Sequence, residues 1–261
     1  MEYSERVIDK ELDELLPELP AIALDGPKGV GKTETCRRRA GSVVALDRDR
    51  DREVFVADPE RITRITPPVL VDEWQLAPSS WDVVRRAVDD GAPAGSFLLT
   101  GSSTPLAKGS GHSGAGRIVS LRMRPMSFPE RNLENPTVGL GELLGGGARI
   151  AGESGLGLAD YAEEITRSGL PGIRGLGERA RRLQLDGYLA RTKRRLLDGD
   201  GEGVAPRGES LGNWLRAYAA ATSTTSPTAA VKTSRNSLRR TPMGAFAAAP
   251  REPWTTTKET L

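Results

Sequence analysis

Eight residues near the start of the chain, Gly26–Thr33, restrict its fold more than any other feature. They read Gly-Pro-Lys-Gly-Val-Gly-Lys-Thr, a match without exception to G-x-x-x-x-G-K-[ST]. A chain of phosphates needs several backbone N–H donors aimed inward, and side chains would block its approach. Gly26, Gly29 and Gly31 leave that space and tolerate a positive φ. A helix opening near Gly31 adds its positive end. Lys32 supplies a mobile cation for the β- and γ-phosphates, and the Thr33 hydroxyl can ligate Mg²⁺. The flanks suit the motif: an apolar run, Ala21–Asp25, precedes it, and a helix-forming segment, Lys32–Ala40, follows. The residues expected to contact ATP are therefore Gly26, Pro27, Lys28, Gly29, Val30, Gly31, Lys32 and Thr33.

The same alternation continues downstream. Residues 1–20 read as a short amphipathic helix with Val7, Ile8, Leu12, Leu15 and Leu16 on one face, stopping at Pro17 and Pro20. Ser42–Leu46, Pro68–Val71 and Ser96–Leu99 are further strand candidates. Asp58–Ile65 is expected to be a short helix with Asp58 as N-cap and Pro59 at its first position. Pro78–Asp89 is expected to be helical, with Trp81, Val84 and Val88 together. Asp47–Arg52 alternates charge and reads as a solvated loop. Continuous apolar runs separated by helices imply an α/β parallel sheet with helices on both faces. We place this domain at residues 1–128. A Gly-rich linker at 129–157 and a mainly helical region at 158–221 follow, the latter with helices at Leu158–Arg167, Gly177–Leu197 and Ser210–Ala221. Residues 222–261 are Thr-, Ser-, Ala- and Pro-rich and carry six Lys or Arg against two Glu. That composition predicts a disordered tail.

Pro68–Glu73 is an apolar strand ending in two acids. Placed beside the strand that carries the phosphate loop, Asp72 would act on magnesium. Glu73, one residue on, could accept a proton from an attacking water. Ser96–Ser103 ends another strand in hydroxyls. If it neighbours the acidic strand, Thr100 or Ser102 could touch the γ-phosphate or the water, and the sequence does not choose between them. Arg117 ends a Gly-rich run and could present its guanidinium to a transferring phosphate in the same chain or a neighbour.

Composition narrows the remaining classes. One cysteine, Cys36, and one histidine, His112, exclude a disulfide within the chain and a Cys/His metal cluster. Cys36, one turn into the first loop-following helix, reads as a small buried hydrophobe. No apolar run approaches the ~20 residues of a bilayer span, so the expected setting is the cytoplasm, without a membrane partner. The net charge of +2 demands no polyanion. Arg191, Lys193, Arg194 and Arg195 nevertheless form a basic cluster that could meet nucleic acid.

Taken together, Gly26–Thr33, Val69–Gln75, Phe97–Ser103, Gly116–Arg117 and Met123–Glu130 resemble the prokaryotic AAA-type predicted ATPases that carry a C-terminal domain of unknown function. The resemblance covers about residues 15–226. Ser168–Gly172 and Leu185–Arg191 look like that family's linker to its second domain. It implies an AAA+-like P-loop fold, ATP and Mg²⁺, roles for Lys32, Thr33, Asp72 and Glu73, and a phosphate-facing Arg117. Family members continue into a longer C-terminal domain, so this chain is expected to be truncated or frame-altered after about Ser226. Three functions follow as expectations. One is Mg-dependent ATP hydrolysis with a conformational or assembly output, in a homo-oligomer or with a protein partner. The others are a nucleotide-gated binding module that hydrolyses little, and a remnant that only binds ATP.

Overall fold

A computed structural model describes residues 3–101, 116–133, 137–147, 149, 151–198 and 212–213. Five parallel strands form one sheet: β1 (Ala21–Asp25), β2 (Ser42–Ala45), β3 (Val69–Asp72), β4 (Phe97–Gly101) and β5 (Val119–Arg122). Their order is β2-β3-β4-β1-β5. The central strands β1, β3 and β4 are buried along their whole length, as expected of parallel strands covered on both sides.

Alternation along each strand sorts the sheet into two faces. Ala21, Ala23, Val69, Val71, Phe97 and Leu99 face one core, with Phe55, Ile62, Trp81 and Val84. Those partners come from α3 (Asp49–Ala57), a 3₁₀ turn at Pro59–Thr63, and α4 (Ser79–Asp89). Ile22, Leu24, Leu70 and Leu98 alternate to the opposite face and are fully buried. There α2 (Lys32–Arg37) packs on β3 and β4. Helix α1 (Val7–Leu15) is tied to α2 by Arg39, which donates to Asp9 Oδ1 at 2.7 Å and to Asp13 Oδ1 at 2.7 Å.

The expected α/β architecture stands, with helices on both faces. Four details differ. Asp49–Ala57 is helical where Asp47–Arg52 was expected to be a solvated loop; Phe55 is its one buried residue and packs into the core. Pro59–Thr63 is 3₁₀, and Asp58 occupies the cap position without a side-chain cap bond. Strand β5 escaped notice because it is an edge strand with mostly exposed residues. The acidic strand β3 is not beside β1: β4 lies between them and pairs with both.

The chain divides into two compact units between Arg181 and Arg182. The first unit extends past the sheet. After β5 come a 3₁₀ turn at Pro129–Arg131, α5 (Leu140–Leu144), α6 (Leu158–Arg167) and α7 (Pro171–Arg174). The Met126 N–H donates to Gly169 O at 2.7 Å. Buried Glu164 of α6 accepts from Arg131 at 3.1 Å and Arg174 at 2.7 Å. In the second unit, the described residues are the helical ones up to Asp198, within α8 (Glu178–Asp198), together with Gly212 and Asn213. The expected Ser210–Ala221 helix and the tail from 222 lie outside the described residues, apart from those two.

Candidate functional site

The loop leaves β1 at Asp25 and enters α2 at Gly31, its N-cap, with φ of 105°. Gly26 has φ of 152°, and a Cβ there would sit 2.3 Å from the backbone oxygen of Met123. Gly29 has φ of 84° with open space around it. The glycines therefore do different things: Gly26 permits close backbone passage, whereas Gly29 permits only a turn. Lys32 is folded back onto the loop, donating to Gly26 O at 2.8 Å and Pro27 O at 3.0 Å. Burial lowers its pKa, an effect opposed by the charges of Glu73, Asp72 and Asp25.

Asp72 ends β3 on the face that carries α2. Its Oδ1 accepts from the Thr33 hydroxyl at 2.8 Å and also from the Thr100 hydroxyl. Thr100 sits opposite Asp72 in the β3–β4 register and is 1% exposed. Interposing β4 between the loop strand and the acidic strand thus brings two sequence-expected hydroxyls onto one oxygen of a third such residue, Asp72. Glu73 follows in the left-handed region, with φ of 54°. That turn carries its carboxylate off the strand, where the Gln75 amide donates to Oε2. Trp74, between them, packs at a tilt of 47° against Trp81 with ring centroids 5.0 Å apart, which fixes the turn to the core.

The other expected residues fare differently. Ser102 lies outside the described residues. Arg117 precedes β5, whose Val119 pairs with Ile22 near the start of β1. The loop leaves the other end of β1, so Arg117 is about five residues of strand away, roughly 17 Å. It pairs instead with Asp89 at 2.6 Å, at the end of α4. The structure does not bring it to its own chain's loop.

Four participants were missed by sequence reasoning. Arg6, just before α1, donates to Val30 O within the loop at 2.7 Å. Glu130 pairs with Arg6 at 3.0 Å. Gln75 holds Glu73. Asp25 ends β1 beside Lys32, with a buried Oδ1 that has no hydrogen-bond partner. Burial raises the Asp25 pKa, against the lowering charges of Arg122 and Lys32. Glu130 and Gln75 had a visible signal, since they close the Met123–Glu130 and Val69–Gln75 segments that carry part of the family resemblance.

Whether magnesium suits these residues can be judged from their donor atoms. The Thr33 hydroxyl and Asp72 carboxylate are hard oxygen donors, already within 2.8 Å of each other. Among the described residues no group of three or more His, Cys, Asp or Glu forms a metal cage. Mg²⁺ is ordinarily held by one or two protein oxygens together with substrate phosphates, so the residues fit it.

A parallel sheet with a glycine loop entering a helix, and an acid delivered from across an interposed strand, is the α/β arrangement of a P-loop NTPase fold. In the sequence comparison, residues 18–132 match the family described as AAA domain. Among solved structures, the Walker-type ATPase PABY2304 of Pyrococcus abyssi is similar, at 16% identity and a TM-score of 0.44, with 91% of this chain and 89% of that chain covered. No curated protein matches the chain. Among the described residues no helix is long and apolar enough to cross a membrane.

Proposed function

We propose that this chain binds ATP with Mg²⁺ at Gly26–Thr33 and hydrolyses it, the turnover driving a conformational or assembly change. The observation that carries the reading is the convergence of Thr33 and Thr100 on Asp72 Oδ1, one residue from Glu73. The loop amides and Lys32 bind the phosphates, with Lys32 exchanging its bonds to Gly26 O and Pro27 O for phosphate oxygens. Thr33 and Asp72 hold the cation, which neutralises charge on the phosphates when bound. Thr100 orients Asp72. Glu73 takes a proton from water as the water oxygen bonds to the γ-phosphorus and the bond from that phosphorus to the bridging oxygen breaks. ADP and phosphate leave. Arg117, at the opposite end of the sheet's strands from the loop, can face a phosphate only in a neighbouring copy, so that role belongs to a homo-oligomer. ATP is taken as the default nucleotide, since no Asn-Lys-x-Asp base-reading motif occurs in the sequence. The cytoplasm is the proposed setting.

The test is phosphate release from Mg-ATP by the full chain, by Lys32→Ala and by Glu73→Gln. Lys32→Ala should lose binding; Glu73→Gln should bind but not turn over. Unchanged hydrolysis in Glu73→Gln would refute the base assignment.

One observation favours a second reading, a nucleotide-gated module with little hydrolysis. The Gln75 amide already occupies one oxygen of Glu73, which withholds it from water. The output would then be binding, to a protein or, through Arg191, Lys193 and Arg194, to nucleic acid. Tight Lys32-dependent ATP binding without phosphate release would support it, and a steep salt dependence of partner binding would identify a phosphate backbone.

A further inference from the structure

The phosphate loop is gripped from outside by a residue that lies 20 positions before it in the chain. Arg6 is 4% exposed and spends all three donor directions on fixed acceptors. Its Nη1 reaches Val30 O at 2.7 Å, its Nη2 reaches Arg124 O at 2.8 Å, and its Nε reaches Glu130 Oε1 at 3.0 Å. Glu130 is itself immobilised. It accepts from the Val7 N–H at 2.8 Å and from the N–H and hydroxyl of Ser127 at 2.5 and 2.7 Å. Burial would raise its pKa, but these donors and the Arg6 charge hold the carboxyl below its ordinary range. The grip is therefore a rigid ionic clamp rather than a flexible surface contact.

We infer that Arg6 is a positioning residue of the phosphate loop, which by holding the Val30 carbonyl outward turns the Gly31 amide toward the bound phosphates. This rests on the reading that Gly26–Thr33 binds ATP. The Val30–Gly31 peptide is planar and trans, so its C=O and N–H point in opposite directions. Tying the oxygen back to Arg6 leaves the N–H pointing away from Arg6. That peptide could otherwise flip through ψ of Val30 and φ of Gly31, because a glycine does not resist a change in φ. The clamp removes the flipped state before ligand arrives, which is preorganisation. Its action is geometric, because the Arg6 charge is already neutralised by Glu130. A lysine offers one ammonium in place of a three-way fork and cannot reproduce it.

The test uses the full chain and three ligands: Mg-ATP, Mg-ADP and inorganic pyrophosphate, the last needing only the loop. Three proteins are titrated: the wild type, Glu130→Gln, and the doubly neutral Arg6→Met/Glu130→Gln, which avoids leaving one buried charge unpaired. The double variant should bind all three ligands about tenfold more weakly or worse, by a common factor, as expected for one donor to an ionised phosphate. The Gly31 amide resonance of the unliganded protein should shift as well. Glu130→Gln keeps Arg6 on Val30 but removes its ionic partner, so its affinity should fall between those of the wild type and the double variant. Equal affinity in the double variant and Glu130→Gln would overturn the inference. So would losses in both variants that follow their melting temperatures, since that is what a merely structural pair would give. If the double variant does not fold, Arg6→Lys decides. Pyrophosphate binding weakened about tenfold at an unchanged melting temperature supports the clamp, and unchanged binding refutes it. A wild type that binds none of the ligands would sink the ATP reading itself, whereas a wild type that binds while the variants are unaffected sinks the clamp alone.

Discussion

Two glycines of the loop should respond very differently to a single added methyl group. At Gly26, alanine would adopt φ of 152° with its Cβ 2.3 Å from Met123 O. The backbone conformation alone costs about 1–3 kcal/mol. The overlap is with backbone, so it can be relieved only by moving Met123, whose N–H donates to Asp25 O at 2.8 Å. Losing that bond adds about 1 kcal/mol. Alanine also restricts the unfolded chain, which returns about 0.4–1 kcal/mol. The net cost is about 2.5 kcal/mol, or a melting temperature roughly 8 °C lower for a chain of this size. At Gly29, φ is 84° and nothing lies within 4 Å of the added carbon. Only the left-handed strain of about 1–2 kcal/mol applies, less the same unfolded-state gain, so the shift is roughly 2 °C. Thermal melting of Gly26→Ala and Gly29→Ala by circular dichroism measures the difference. Equal shifts, or a larger one at Gly29, would refute the idea that Gly26 is held by close passage against β5's continuation rather than by φ alone.

Other perturbations address the site and its supports. Thr100→Val preserves shape but removes one of the two hydroxyls on Asp72 Oδ1, so phosphate release should fall about tenfold or more while Thr100→Ser stays near wild type; equal activity of all three proteins would show the hydroxyl to be dispensable. Cys36, the one cysteine, is buried with its thiol pushed up to about 12, so alkylation near pH 8 must await opening of α2, and Mg-ATP should slow it in proportion to site occupancy; a rate indifferent to ATP counts against loop binding. Burial would raise the Asp9 carboxyl, but donors from Tyr3, Arg6 and Arg39 outweigh it and the pKa falls below the ordinary 3.8, as that of Glu130 falls below 4.5. Both folded values being depressed, their contribution is complete above about pH 4.5 and is lost as pH falls through the folded values; melting temperature should drop below pH 4, less steeply in Glu130→Gln, and a rise on acidification would contradict the assignment.

The sheet and the loop were legible because their signals are local. A glycine loop between an apolar run and a helix former is read from Ala21–Ala40 alone, and the burial of β1, β3 and β4 shows as unbroken apolar stretches. Asp72 and Thr100 could be nominated from where their strands stop. Their meeting on one oxygen could not, because it depends on strand order, and no local pattern states that β4 inserts between β1 and β3. Helix α3 was hidden for a different reason. Asp49–Ala57 shows little amphipathic signal, and it is helical because one aromatic, Phe55, finds a place under the sheet. Arg6 was invisible, and so was its pairing with Glu130, since the two act at a sequence separation of 124. A charged residue beside an amphipathic helix ordinarily reads as solvated.

The inserted strand has a mechanical consequence at its C-terminal end. Thr100 holds Asp72, and the next residue, Gly101, presses on the turn that supports Glu73. A Cβ at Gly101 would lie 2.5 Å from Trp74 Nε1 and 2.7 Å from Gln75 Oε1. Trp74 is buried and packed against Trp81 in the core. The Gln75 amide is the softer neighbour, and its displacement would break its bond to Glu73 Oε2. One strand end therefore bears on both acids, through a hydroxyl for one and by contact for the other. Gly101→Ala should alter turnover far more than affinity, because the loop amides and Lys32 lie on β1 and α2. Phosphate release and ATP titration on the same preparation separate the two quantities. A change in kcat of about tenfold, in either direction, with Kd within about threefold, corresponds to a shift of about 1.4 kcal/mol at the base without loss of the cradle. The direction tells whether Gln75 positions Glu73 or restrains it: slower turnover means positioning, and faster turnover means restraint. Matched losses in kcat and affinity would show that β4 merely supports the fold, and the coupling between its end and Glu73 would be wrong.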